Sequence, residues 1–212
     1  MKKHLSLFGA VLTAGMLSVP AYAADSPSYY VSGNVGVSSF SKTDVKNPTK
    51  PLNDAILTTD AGIALLGAVG VKFDCWRAEA ELGYQRNNAK DVTSSNGDVS
   101  NLTGSISATT VLANGYYDFN AGGFNPYLSA GIGWASVGVN NVQDGKGGGP
   151  ANQSHSAIGY QFGAGVAIPL SKTIALDARY RYFGTGTVSF DNQDGDFKIT
   201  GSDFLVGVRI GL

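Results

Sequence analysis

The chain has 212 residues and a formal net charge of -1, which fits a single domain and argues against a nucleic-acid partner. Mean hydropathy is near zero and no long apolar run follows the N-terminal one, which excludes helical membrane spans. With one cysteine, Cys75, no internal disulfide framework can form.

The N-terminus reads as an export signal. Met1-Lys2-Lys3 is basic, Leu5 to Val19 is apolar, and Ala21-Tyr22-Ala23 has the small-x-small pattern of a cleavage site. The apolar run is short of the ~20 residues that a spanning helix needs. The expected organisation is therefore a signal peptide over residues 1–23, removed after about Ala23, and one domain over 24–212.

Beyond that point the chain alternates. Eight segments have a period of two: Tyr29–Phe40, Ala61–Phe73, Cys75–Arg86, Ser105–Phe119, Pro126–Val139, Ser156–Ile168, Thr173–Phe183 and Gly201–Leu212. Each reaches the ~9–11 residues with which a tilted strand crosses a bilayer. The connections near Asp74, at Asn120–Asn125 and at Pro169–Lys172 are short, and Cys75 is read as a turn residue. Those at Ser41–Asp60, Asn87–Gly104, Asn140–His155 and Gly184–Thr200 are long and rich in Gly, Asn, Asp, Ser and Thr. Short turns on one side and long loops on the other predict an all-β fold, an eight-stranded antiparallel up-and-down transmembrane barrel with its loops outside the cell.

The two faces of each strand differ in an informative way. In Ala157–Phe183, Ile158, Tyr160, Phe162, Val166 and Ile168 share one parity, while Gln161 and several glycines occupy the other. The apolar parity is assigned to lipid. Aromatics cluster toward its ends as expected of interfacial girdles: Phe73, Trp76, Tyr117 and Phe119 on the turn side, and Tyr84, Trp134, Tyr160, Tyr182 and Phe204 on the loop side. The opposite parity carries Lys72, Arg77, Glu79, Glu81, Asp118, Asp177, Arg179, Arg181, Asp203 and Arg209, five cations against five anions. An eight-stranded barrel is only just wide enough for its own side chains. A balanced, hydrogen-bonded set is tolerable there and an unbalanced one is not, so a plugged lumen is expected. Inward glycines such as Gly70, Gly131, Gly165 and Gly207 are expected to make room for the long charged side chains and for tight curvature.

Several segments resemble the opacity-protein and related surface-antigen family of small outer-membrane barrels, whose architecture is that of the OmpA transmembrane domain. They are Tyr29-Tyr30-Val31-Ser32-Gly33, Leu66-Gly67-Ala68-Val69-Gly70, Asn114-Gly115-Tyr116-Tyr117-Asp118-Phe119, Pro126-Tyr127-Leu128-Ser129-Ala130-Gly131-Ile132-Gly133, Phe162-Gly163-Ala164-Gly165-Val166 and the last strand. The resemblance implies a bacterial outer-membrane location and four variable surface loops acting in adhesion, immune exposure or envelope integrity. It implies contact with outer-membrane lipid and lipopolysaccharide and with the assembly machinery, and a host or environmental receptor for a monomeric barrel. Such barrels end on an aromatic residue, whereas this chain ends on Leu212.

Catalytic and cofactor signals are weak. Ser154-His155-Ser156 falls in an expected loop, and adjacent residues point apart, so it is no dyad. Asp144-Gly145-Lys146-Gly147-Gly148-Gly149-Pro150 lacks the spacing of a phosphate loop. Asp191-Asn192-Gln193-Asp194-Gly195-Asp196 lacks the closing Glu of a calcium loop. No enzyme activity, cofactor or metal is expected. The alternative to a surface protein is a narrow porin-like channel or a carrier of a small ligand. At the level of fold, the alternative is a soluble eight-stranded barrel with its apolar parity inward.

Overall fold

The computed structural model describes residues 27–41, 43–45, 55–94, 99–119, 121–144, 151–186, 188–189 and 196–212. The expected signal peptide, residues 145–150 and residues 191–195 lie outside them. Among the described residues alternation becomes twelve strands: β1 (Ser28–Phe40), β2 (Thr43–Val45), β3 (Ala55–Thr59), β4 (Gly62–Phe73), β5 (Trp76–Ser94), β6 (Val99–Asp118), β7 (Asn125–Asp144), β8 (Ala151–Pro169), β9 (Ile174–Thr185), β10 (Val188–Ser189), β11 (Asp196–Phe197) and β12 (Thr200–Gly211).

Eight of these form a closed ring. β1 pairs β4, each later long strand pairs the next, and β12 returns to β1, all antiparallel. Closure leaves no free edge around the belt where all eight strands are paired, so the backbone polar groups there are satisfied on both sides. The chain enters and leaves on one side, where Tyr30 lies opposite Gly211 and Leu212 N donates to Tyr29 O at 2.9 Å. On that side the links are tight. Phe73 pairs Trp76 across the turn Asp74–Cys75, where Asp74 takes φ 52°, a conformation Asp tolerates in a two-residue hairpin.

On the opposite side parts of the expected loops are strand. β5 to β8 run 19 or 20 residues, against 12 or 13 for β1, β4, β9 and β12. At ~3.3 Å per residue and ~40° tilt, that is about 50 Å of height against about 30 Å. The hairpin β2–β3 docks on the raised part of β5, pairing Ala55 with Ser94 and Thr58 with Asp91. Of the expected loop Asn87–Gly104, residues 87–94 belong to β5 and 99–104 to β6, and His155 sits on β8 opposite Val137 rather than in a loop. The ladder continues because pairing satisfies the backbone as well as water does. Register shifts at Asn88/Asp91, Thr103/Ser105 and Val139/Val142 mark where it bends.

Outward and inward residues alternate as read from the sequence. Phe204, Val206, Leu82 and Ile132 are each at least 60% exposed, whereas Leu205 and Leu112 are 2% exposed.

Candidate functional site

The interior is built from the inward residues in three tiers. Nearest the turns, Arg77 on β5 is clasped by Asp118 on β6. Its Nε donates to both carboxylate oxygens at 3.0 Å, and its Nη2 donates to Oδ1 at 2.9 Å. Lys72 Nζ lies 3.3 Å from the same carboxylate. Arg77 Nη1 reaches Glu79 at 3.2 Å, while Tyr30 donates its hydroxyl proton to Glu79 at 2.7 Å. The guanidinium is stacked among aromatic rings, 4.2 Å from the Tyr116 centroid and 4.9 Å from that of Tyr127. Tyr127 donates to Asp177 at 2.7 Å, and Arg209 completes that carboxylate at 3.1 Å.

The middle tier centres on Glu81. It accepts from Arg179 at 3.0 Å, Arg181 at 3.4 Å and Gln161 at 3.1 Å. Arg181 Nε meets Asp203 at 2.6 Å, and Gln85 donates to the other oxygen of Asp203 at 2.7 Å. Arg179 donates to the Tyr116 hydroxyl at 2.7 Å, tying this tier to the one below. All ten charged residues named from the sequence thus stand inside the ring, each within 3.4 Å of an opposite charge. A void of ≈10 Å³ between Arg77, Arg179, Tyr116 and Tyr127 has room for one water.

The third tier is apolar. Toward the loops, Phe40, Ile106, Ala108, Ala135, Val137, Phe183 and Ile199 pack into one buried cluster. Ser38 and Asn87 bond to each other at its edge, and Asn87 Nδ2 also donates to Ser38 O at 2.9 Å and Asp60 O at 3.0 Å. Expectation from the sequence places charged residues and glycines inside the ring and leaves this tier out. The signal was present in the parity: Phe183 is two residues past Arg181, and Phe40 follows Ser38 by two.

The glycines make room for more than the expected charged side chains, although Gly70 does lie against the Glu79 stem. Gly70 lies directly across from Tyr30, and Gly165 across from Tyr127. A Cβ at either would strike the tyrosine ring, and one at Gly131 would strike Asn114 Oδ1. The space they free is taken chiefly by cross-strand tyrosines and an amide, with the Glu79 stem beside Tyr30 at Gly70. Tyr30, Tyr116, Tyr127, Gln85 and Asn114 were missed as interior residues; Gln85 on β5 and Asn114 and Tyr116 on β6 share parity with charges that were named, whereas β1 and β7 carry no named charge to mark Tyr30 and Tyr127. An aromatic or an amide does not announce its face as an arginine between two valines does.

Of the aromatics named for the girdles, Trp76, Tyr84, Tyr117, Phe119, Trp134, Tyr182 and Phe204 are exposed on the outer wall, and Phe73 and Tyr160 are half-buried there. Trp76 meets Tyr117 edge-on at 4.8 Å, and Tyr117 meets Phe119 at 4.9 Å. On the loop side Tyr160 folds over Gly184, its cross-strand partner. Ser154 and Ser156 face outward and are exposed, while His155 between them faces inward and is half-buried. Among the described residues no three His, Cys, Asp or Glu side chains come together as a metal cage would require.

Comparison with known proteins follows the same lines. A family model described as "Outer membrane protein beta-barrel domain" matches residues 9–210. Outer membrane protein PagN of Salmonella typhimurium is 35% identical over 123 residues, covering 51% of this chain and 51% of PagN, so the match spans about half of that relative. The crystal structure of Neisserial surface protein A superposes with a TM-score of 0.57 at 19% identity, covering 88% of this chain and 99% of that one. The outer membrane protease OmpT of Escherichia coli gives a TM-score of 0.52 at 8% identity, over 92% and 99% of the two chains. At such identities the two structures speak to the fold alone.

Proposed function

Since this chain belongs to the outer membrane protein β-barrel domain family, we propose that it is a surface protein of the bacterial outer membrane that presents four loop-side connections and conducts nothing through its lumen. The observation that carries the closed lumen is the filling of the ring. Ten charges are paired side to side, beneath an apolar cluster whose Phe183 is 0% exposed. Opening a path would mean separating several buried ion pairs at once, each costing ~3–5 kcal/mol when one partner is left alone. With closure of the ring satisfying the wall, the connections above it are free to carry recognition.

The reading is adhesive or antigenic rather than catalytic. OmpT is a protease by name, but His155 here points into the ring while Ser154 and Ser156 point out, so no serine neighbouring it in sequence is placed for activation. Outer-membrane lipid and lipopolysaccharide would surround the wall, the assembly machinery would insert it, and a host or environmental receptor would meet the loops of a single barrel. Two measurements test this. Purified protein in planar bilayers is expected to give no steady conductance; a stable open pore would transfer the role to transport. Shortening the connections one at a time, with the barrel intact by heat-dependent gel shift, is expected to lower surface adhesion for at least one of them. Unchanged adhesion for all four would remove the adhesive reading.

A further inference from the structure

The outer wall carries a feature that neither barrel closure nor surface display uses. Strand register sets outward residues of β12, β1, β4 and β5 in rows. In one row Gly33 and Gly67 face each other, with Val208 and Leu82 on either side of them. The next row toward the loops carries Val35, Leu65 and Tyr84. A Cβ built at Gly33 or Gly67 meets nothing within 4 Å. An open apolar depression of ≈620 Å³ lies over the two glycines in the wall.

A cation stands above it. Arg86 lies two residues beyond Tyr84 on the same outward face, opposite Ile63. It is exposed and has no side-chain partner among the described residues, whereas Lys90 on the same face pairs with Asp60 at 3.7 Å. From Trp76 at the turn end to Arg86 is ten residues of β5. At ~3.3 Å per residue and ~40° tilt that is about 25 Å, the height of the apolar band of such barrels. Arg86 therefore sits at headgroup level of the outer leaflet, and the depression lies in the hydrocarbon just beneath it.

We infer that this patch is a binding site for a phosphorylated lipid of the outer leaflet, with a phosphate on Arg86 and one acyl chain seated over Gly33 and Gly67. A guanidinium matches a phosphate in both charge and geometry. An acyl chain is the occupant whose contacts are apolar throughout and which is tethered to that headgroup. The inference rests on the outer-membrane placement of the wall and is independent of whether the loops adhere or the lumen conducts.

Native mass spectrometry of the full barrel in detergent, with diphosphorylated lipid A and its dephosphorylated counterpart, reads the site directly. The wild type is expected to retain the phosphorylated lipid. Arg86→Gln and the double variant Gly33→Val/Gly67→Val are each expected to lose about tenfold in apparent affinity. Gly115→Val, where a Cβ also meets nothing within 4 Å, is the control and is expected to bind as the wild type does. Equal retention by the double valine variant, equal retention of the dephosphorylated lipid, or a protein dimer abolished by the valines would overturn the proposal. Should the valines hinder folding, lipid A with a photoactivatable acyl chain tests the unaltered protein. Crosslinks concentrated around Gly33 and Gly67 support the site, and labelling spread evenly around the wall refutes it.

Discussion

Replacing Glu81 with glutamine probes the centre of the interior with minimal change of shape. Its side chain is 1% exposed and accepts from Arg179, Arg181 and Gln161. In Glu81→Gln, Arg181 keeps Asp203 at 2.6 Å, but Arg179 loses its ion pair and keeps only the Tyr116 hydroxyl at 2.7 Å. The interior then holds one uncompensated guanidinium, which costs ~3–5 kcal/mol. With a urea slope of ~2 kcal/mol per molar, the unfolding midpoint in lipid vesicles moves down by about 2 M. The outward Trp76 and Trp134 supply the fluorescence signal. Adding Arg179→Met removes the orphaned charge, so the double variant is expected to regain most of the loss, giving a coupling of ~2–3 kcal/mol in the cycle. A single-variant loss below ~1 kcal/mol, or costs that simply add, would refute the claim that these charges are held as compensated pairs.

Three further outcomes follow from the same geometry. Phe183→Ala is expected to cost ~3–5 kcal/mol by opening a cavity in the apolar tier, read by the same urea titration. Gly165→Ala places a methyl against the Tyr127 ring and is expected to cost ~1–3 kcal/mol by overpacking, whereas Gly115→Ala, facing outward with open space, stays within ~0.5 kcal/mol. Quenchers carried at headgroup depth are expected to act strongly on Trp76, and weak quenching there with strong quenching by mid-chain labels would displace the turn-side girdle.

How much was legible in the sequence depended on what each residue faces. Along β12, Phe204, Val206, Val208 and Ile210 alternate with Asp203, Leu205, Gly207 and Arg209, because one side lies against apolar surroundings and the other against a packed polar interior. That contrast writes a period of two. It also placed the short turns. It fades above the belt, where Asn87 to Ser94 and Val99 to Gly104 run in β5 and β6. There the wall has little to gain from alternation, and register shifts at Asn88/Asp91 and Thr103/Ser105 break the parity. Polar strands in that region therefore read as loops. In the interior, charges were conspicuous because a lone Arg181 between Tyr180 and Tyr182 demands an explanation. Tyr30, Tyr116 and Tyr127 fit either face by composition. Only the register, which sets Tyr30 on Gly70 and Tyr127 on Gly165, assigns them inward.

The account depends most on which face of each strand meets hydrocarbon. Spin labels placed singly from Phe204 to Ile210 in the protein reconstituted in bilayers measure this through oxygen accessibility. It is expected to be high at Phe204, Val206, Val208 and Ile210 and low at Leu205, Gly207 and Arg209, in keeping with exposures of 61% at Val206 and 2% at Leu205. The opposite phase, with the Arg209 position in contact with acyl chains and Val206 shielded, would contradict it.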